Sequence, residues 1–333
     1  MGRPPTMEDV AAEAGVSRAL VSLVMRGSPK VSAERRARVL AAAERLQYRP
    51  NAMARGLASA RTRTIGVLLN DLGNPFFADI AAGIEDLASS LGYQLLLGTG
   101  RRVPAREQSV VTAFGDYRVD GLILVSPRLD EAALAAAARR VPTVVMGREL
   151  DAPELDTLGV DEALGVRAVV TYLAGLGHTD VVHVTGGDGA GGATRAACFG
   201  AAMAAAGLGP GRVLAGDFTE ASGVRAAQTL LTRGALPTAV FAANDLTAAG
   251  MMDTFVRAGL RIPEDLSLVG YDNIYIAGLR QLSLTTVDQP RAALGRQALE
   301  LLLERIEGRG ERVARLLEPT LIVRDTAGRA PRR

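Results

Sequence analysis

Between Thr6 and Met25 the chain reads T-M-E-D-V-A-A-E-A-G-V-S-R-A-L-V-S-L-V-M, and few arrangements satisfy that stretch. Thr6 is a strong helix N-cap, and Glu8 and Asp9 put carboxylates in the first turn, where the helix dipole favours them. Val10, Ala11 and Ala14 fall on one face at helical spacing. Gly15 permits the positive φ that ends a helix, and Val16 plugs the corner. Ser17 caps a second helix whose Leu20, Val21 and Val24 face back toward the first. Side chains this small let two short helices approach closely. The stretch predicts a helix-turn-helix unit, whose second helix such units place in the DNA major groove.

Two short helices around a glycine also occur in bundles that never meet nucleic acid, and charge separates the two readings. Residues 1–63 carry twelve Lys/Arg against five Asp/Glu, a net of +7, while the remaining 270 residues net −5. The overall +2 therefore hides a basic head on an acidic body, the distribution of a modular nucleic-acid binder. At 333 residues the chain has room for two or three domains. One cysteine, Cys198, excludes an internal disulfide and a multi-thiolate zinc site, which points to a reducing compartment. No apolar run approaches the roughly 20 residues of a membrane span, and no signal-peptide pattern opens the chain; the expectation is a cytoplasmic protein with no membrane partner.

After the helix pair, Arg26 to Lys30 reads as a turn and Ser32 caps a third helix through about Tyr48, with Val39, Ala43 and Leu46 closing the small core. Pro50 breaks that helix, Asn51 caps a short segment to Ala58, and Ser59 to Arg63 reads as a basic linker. From Thr64 the pattern becomes alternating strands and helices. Strands are expected at 65–69, 93–97, 121–125 and 143–146, and again at 181–184, 239–242 and 266–270. Helices are expected at 75–91, 105–117, 131–140, 161–176, 194–206, 222–233 and 246–258, with a last one near 290–307. Two such runs predict two doubly wound α/β lobes with mostly parallel sheets, and open sheets of this kind bind ligands beyond the carboxyl ends of their strands.

With head, linker and twin lobes placed, the sequence resembles the lactose/galactose repressor (LacI) family of bacterial regulators over essentially its whole length. The motifs are D-V-A-x-x-A-G-V-S (9–17), V-S (31–32), Y-R-P-N-A-x-A-R-x-L (48–57), T-I-G-V (64–67), N-P-F-F (74–77), V-D-G-L-I-L (119–124), A-N-D (243–245), G-Y-D-N (270–273) and L-T-T-V-x-Q-P (284–290). The resemblance implies a periplasmic-binding-protein-like α/β fold: a head at 1–50, a hinge helix and linker at 51–63, one effector lobe from 64–161 and about 290–318, and a second from 162–289 and about 319–333. It also implies a homodimer, or a tetramer, that binds a palindromic double-stranded operator and changes affinity when a small molecule enters the interlobe cleft. Without a leucine heptad in the C-terminal tail, a dimer is favoured.

By the same resemblance, DNA contacts fall to Thr6, Ser17, Arg18, Ala19, Ser22 and Arg26 in the head. In the hinge they fall to Asn51, Ala54, Arg55 and Leu57, with Leu57 as the wedge in the central base step. Arg18 can read guanine bidentately. Leu23 departs from the family, where an arginine is usual, and so does Gly56 inside the hinge helix. Effector contacts fall to Phe76, Phe77 and Phe218 as stacking surfaces and to Arg195, Asn244 and Asp272 as polar groups, with Ser126 and Arg148 as further candidates. Planar donor and acceptor pairs of this kind suit vicinal hydroxyls, so a sugar is the first expectation, with a purine-like ligand beside it. Asp161-Glu162 stands in place of the usual Asp-Asn, and Cys198 in place of a common glycine.

Three rival readings stand beside this one. Gly187-Asp-Gly189-Ala-Gly-Gly192 fits G-x-G-x-x-G between a strand and a helix, with Asp217 after a later strand, as in an NAD(P)-type dinucleotide-binding enzyme. Its mid-chain position and the unexplained basic head weigh against that, and His178 and His183 read as structural. A transport-type sugar-binding protein would lack the head. A regulator with a protein corepressor would share every feature above. No cofactor and no metal are expected.

Overall fold

The computed structural model describes residues 3, 5–25, 28–48, 61–187, 189, 191–232, 234 and 236–332. The chain forms two units, Met1–Arg63 and Thr64–Arg333.

The small unit holds α1 (Met7–Ala14), α2 (Arg18–Met25) and α3 (Ala33–Arg45). Thr6 and Asp9 form a reciprocal capping box: the Asp9 N–H donates to Thr6 Oγ1 at 3.4 Å and the Thr6 N–H donates to Asp9 Oδ2 at 2.7 Å. Those bonds from Thr6, with Arg3 nearby, hold the Asp9 carboxyl below its usual range. Gly15 ends α1 at φ 63°, a conformation that a Cβ would strain. The core between the helices is built from Val10, Ala11, Val21, Val24, Val31, Val39, Ala42 and Ala43.

The large unit begins with β1 (Thr64–Leu69), α4 (Pro75–Ser90), β2 (Gln94–Thr99), α5 (Pro104–Asp116), β3 (Gly121–Val125), α6 (Glu131–Ala138), β4 (Thr143–Met146) and β5 (Asp156–Val160). It continues with α7 (Glu162–Gly175), β6 (Val181–Val184), α8 (Gly192–Ala205), β7 (Arg212–Leu214), α9 (Glu220–Thr232), β8 (Ala239–Ala242), α10 (Asp245–Arg257) and β9 (Ser267–Val269). Last come β10 (Thr286–Asp288), α11 (Arg291–Ile306), β11 (Ala314–Leu317) and β12 (Thr320–Ile322). One sheet runs β11-β5-β4-β3-β1-β2 and the other β7-β6-β8-β9, all in parallel register, while β10 and β12 pair antiparallel.

The central strands are continuous apolar runs because both faces of each parallel sheet are covered by helices. Ile65, Val67, Ile123 and Val144 pack toward α4 and α11, and Leu68, Leu122, Leu124 and Val145 pack toward the opposite layer. The α4–α11 contact needs glycine on both sides. A Cβ on Gly83 would lie 2.3 Å from the Ala292 carbonyl oxygen, and one on Gly295 would lie 2.2 Å from that of Ile80. In the second lobe His183 is buried beside Phe199 and stacks on Phe241 at 4.7 Å. Its Nδ1 faces the Phe241 carbonyl oxygen at 2.9 Å, and burial lowers its pKa to about 4, so it stays neutral.

Five of the described strands lie outside the ranges expected from the sequence: β10 and β12, of three residues each, and β5, β7 and β11. β5 (D-T-L-G-V) mixes polar and small residues, β7 is a three-residue edge strand, and β11 is the outermost strand of its sheet. None shows the apolar run by which the interior strands announce themselves. β5 and β11 are instead fixed by Asp156. Its buried carboxylate accepts from Arg305 Nη2 at 2.9 Å, from Arg309 Nη2 at 2.6 Å and from the Val313 N–H at 2.8 Å. That cluster ties the segment returning from the second lobe to the first sheet. No described helix is long and apolar enough to cross a membrane.

Candidate functional site

In the head, the N-terminal end of α2 is open to solvent. Ser17 Oγ accepts from the Leu20 N–H at 3.2 Å, capping the helix, and Ser17, Arg18 and Ala19 are exposed while Ser22 is half-buried. Arg18 lies 3.9 Å from Glu8 with its side chain 68% exposed, so its guanidinium is free to be redirected. Thr6 has a local duty as well, its hydroxyl donating to Asp9 Oδ2 at 2.8 Å. Leu23 is half-buried against the small core, so its apolar character serves packing. Arg26, Asn51, Ala54, Arg55 and Leu57 lie outside the described residues.

In the large unit, the carboxyl ends of the strands of both sheets open onto one cleft of about 1190 Å³. Asn70, Phe76, Phe77, Ser126 and Arg148 line it from the first lobe, and Glu162, Arg195, Phe218, Asp272 and Gln289 from the second. Phe76 and Phe77 meet edge to face at 5.3 Å; Phe77 is buried and Phe76 half-buried, so Phe76 offers the more open ring. Backbone strain gathers here: Arg102, Ser126, Phe218 and Asp272 all have positive φ, at 63°, 52°, 65° and 106°. Such non-glycine conformations cost on the order of 1–3 kcal/mol each and concentrate where side chains must be aimed at a ligand.

The cleft floor is an ionic network. Arg195, in the first turn of α8, donates through Nε to Glu162 Oε2 at 2.9 Å and through Nη2 to Glu162 Oε1 at 2.7 Å, and its Nη1 donates to the Ala243 carbonyl oxygen. Its guanidinium carbon lies 3.6 Å from the centre of the buried Tyr271 ring and 5.8 Å from that of Phe218. Burial works against its charge, and Glu162, with Tyr271 and Asp272, outweighs that and keeps it protonated. Asp272 accepts from Gln289 Nε2 at 2.6 Å. Burial pushes its carboxyl up to about 7, against the pull of Arg195, Gln289 and Arg291, with Glu162 adding to the rise. Beneath it, buried Asp245 is raised well above the usual carboxylate range, first by burial and then by Asp272.

Asn244 does not join this group. Its Oδ1 accepts from the Thr247 N–H at 2.9 Å and hydroxyl at 2.8 Å, its Nδ2 donates to the Phe218 carbonyl oxygen at 3.1 Å, and it is absent from the cleft lining. The expectation of a ligand-facing amide is therefore corrected: Asn244 is the N-cap of α10. Asn244→Ala should cost about 1–2 kcal/mol in urea unfolding.

The glycine loop also has a packing explanation. A Cβ on Gly186 would lie 2.0 Å from the Phe218 ring, one on Gly189 would lie 3.0 Å from it, and one on Gly192 would lie 2.6 Å from the Gly187 carbonyl oxygen. Asp217, the acid of the dinucleotide reading, is taken up by Thr219 and by Arg225 at 3.1 Å. Among the described residues, Arg102 and Arg291 link the two lobes. Arg102 Nη2 donates to the Asp217 carbonyl oxygen at 2.6 Å. Arg291 donates through Nε to Asp79 Oδ2 on α4 at 2.8 Å and through Nη1 to the Asp272 carbonyl oxygen.

Sequence reasoning missed Glu162 as the partner of Arg195, along with Tyr271, Gln289, Arg102 and Arg291. Tyr271 and Gln289 sit inside motifs already recognised, G-Y-D-N and L-T-T-V-x-Q-P, while nothing local marks Arg102 or Arg291.

An open recognition helix on a basic head, in one chain with a two-lobed ligand cleft, defines a class: the DNA-binding, ligand-responsive transcriptional regulator. Residues 6–51 match the family described as bacterial regulatory proteins, lacI family, and residues 170–327 match the periplasmic binding protein-like domain. The HTH-type transcriptional repressor PurR of Photobacterium profundum is 34% identical over 330 residues, which span 96% of this chain and 97% of that protein. The lac repressor dimer bound to operator and the anti-inducer ONPF matches with a TM-score of 0.88 at 29% identity, over 98% of this chain and 100% of that one. The complex of the transcriptional regulator CelR with cellobiose matches with a TM-score of 0.74 at 34% identity, over 97% and 99%. The chain belongs to the lacI family of bacterial regulatory proteins.

Proposed function

We propose that this regulator binds a palindromic operator as a homodimer through Ser17, Arg18, Ala19 and Ser22, and that a sugar held in the interlobe cleft changes its operator affinity. The observation that carries the reading is the cleft itself, lined by both lobes and floored by Arg195 and Asp272, with Phe76 and Phe218 as apolar faces. Its volume accepts a mono- or disaccharide, and the similar regulator CelR is solved with cellobiose. The lobes are read as 64–161 with about 290–318, and 162–289 with about 319–333. A ligand touching both would reset the Arg102–Asp217 and Arg291–Asp272 links, and the lobe angle with them. The glycine loop is read as packing for Phe218 and the start of α8, not as a phosphate cradle, so no enzymatic step is assigned.

The test is operator-fragment binding by fluorescence anisotropy, with DNA from upstream of the chain's own gene, against a panel of sugars and nucleosides. Tight, salt-dependent binding moved by one compound is the expected result. Specific binding that no compound moves would sink the effector part and favour a protein corepressor. No specific binding would sink the regulator reading.

A further inference from the structure

We propose that Glu162 sets the charge class of the effector, so that the floor of the cleft takes an uncharged, hydroxyl-rich ligand and excludes phosphorylated or carboxylated ones. The inference rests on reading the cleft as the effector site and concerns a residue that departs from the family pattern. A guanidinium takes a carboxylate or phosphate along its forked edge. In Arg195 that edge is already filled from within the chain, by Nε and Nη2 on the two oxygens of Glu162, while Nη1 is held by the Ala243 carbonyl and one face by Tyr271. The Arg195 side chain is 4% exposed and that of Glu162 16%, so the pair shows the cleft its carboxylate more than its cation.

A second carboxylate, Asp272, stands on the same floor, and its proton is only partly held at neutral pH. Arg195, Glu162 and Asp272 together therefore carry between zero and one negative charge. On the opposite wall Arg128 and Arg148 share buried Glu107, which accepts from the Arg128 backbone N–H at 2.7 Å, and Arg148 Nη1 donates to the Leu129 carbonyl oxygen at 2.5 Å. Arg102 donates to the Asp217 carbonyl oxygen, and the carboxylates of Asp71, Asp130 and Glu149 line the same wall. An anion would have to evict Glu162 from a buried guanidinium and leave that carboxylate unpaired beside Asp272. A neutral polyol meets no such obstacle, since its hydroxyls can donate to the oxygens of Glu162 and Asp272.

The test uses the full chain and inorganic phosphate as the probe. Thermal unfolding of the large unit is compared in ~20 mM phosphate and in chloride of equal ionic strength, since a ligand of the native state raises its stability by mass action. The same comparison on a Glu162→Gln/Arg195→Gln double variant removes the contribution of phosphate bound elsewhere. Wild type should show no shift beyond that control, whereas Glu162→Gln, and Glu162→Asn as a second variant, should gain several degrees and bind phosphate at least tenfold more tightly. Phosphate stabilising wild type as much as Glu162→Gln overturns the proposal, and so do variants that gain nothing. If none of the variants folds, wild type decides: a phosphate shift of its large-unit transition overturns the proposal and a flat response supports it. Failure of the cleft reading looks different, with the anion result as expected and operator binding unmoved by every neutral sugar and nucleoside.

Discussion

Asp156→Ala is expected to destabilise the large unit by about 3–5 kcal/mol, because it removes the buried carboxylate shared by Arg305, Arg309 and the Val313 N–H and leaves Arg305 without an ion-pair partner. The Asp156 side chain is fully buried, Arg305 is 9% exposed and Arg309 20%, and the same carboxylate accepts the Val313 N–H that starts β11. Asp156 itself does not line the cleft, although its neighbour Thr157 does, so ligand response should survive wherever the variant remains folded. Urea unfolding measures the loss, and hydrogen exchange should rise first along β5 and β11. Surface pairs give the contrast: breaking Arg257–Asp253, exposed on both sides, should leave the urea midpoint where it is. Asp156 also predicts a pH limb. Burial pushes its carboxyl up, but bonds from Arg309 and Arg305 outweigh that and hold it below 3.8. A depressed native carboxyl contributes stability above that value and loses it as pH falls below it, so wild type should show an acid limb that Asp156→Ala lacks.

Arg195→Ala is expected to cost about 3–5 kcal/mol as well, and to abolish the effector response in addition. It removes the cation between Glu162, Tyr271 and Asp272, leaving Glu162 without its ion-pair partner and Asp272 with Arg291 as its remaining nearby cation. A double-mutant cycle separates the parts: Arg195→Ala/Glu162→Ala should be markedly more stable than the sum of the single changes, since no orphaned charge remains. Asp272 gives a pH dependence of the opposite sign to that of Asp156. Its native pKa of about 7 lies above the ordinary 3.8, so the folded state keeps a proton that the unfolded chain gives up. Its contribution therefore falls as pH rises from about 4 to about 7, and Asp272→Asn should flatten the curve in that window.

These sites show which parts of the molecule could be read from the chain. The head was legible because capping chemistry is local: Thr6, Asp9, Gly15 and Ser17 act within a few residues of themselves. The interior strands were legible because burial on both faces leaves apolar runs such as I-G-V-L-L and G-L-I-L-V. β5, β7 and β11 were not, since edge positions and an ion cluster permit polar residues there. Asn244 matched a motif, but its position before a helix carried the better clue, because asparagine is among the strongest N-caps. Glu162 was visible only as a departure from the family. That it grips Arg195, 33 positions away, follows from two helix N-termini meeting beyond the ends of β5 and β6, which no local pattern records.

The central claim is that occupancy of the cleft and occupancy of the operator are thermodynamically coupled. The direct measurement takes the compound that moves operator binding and determines two ratios by titration calorimetry and anisotropy: operator Kd with and without the compound, and compound Kd with and without operator. Coupling of this kind predicts that the two ratios are equal, at about 5–150-fold, and that both collapse toward one in Asp272→Ala. A compound that binds with the same Kd whether or not operator is present would contradict it.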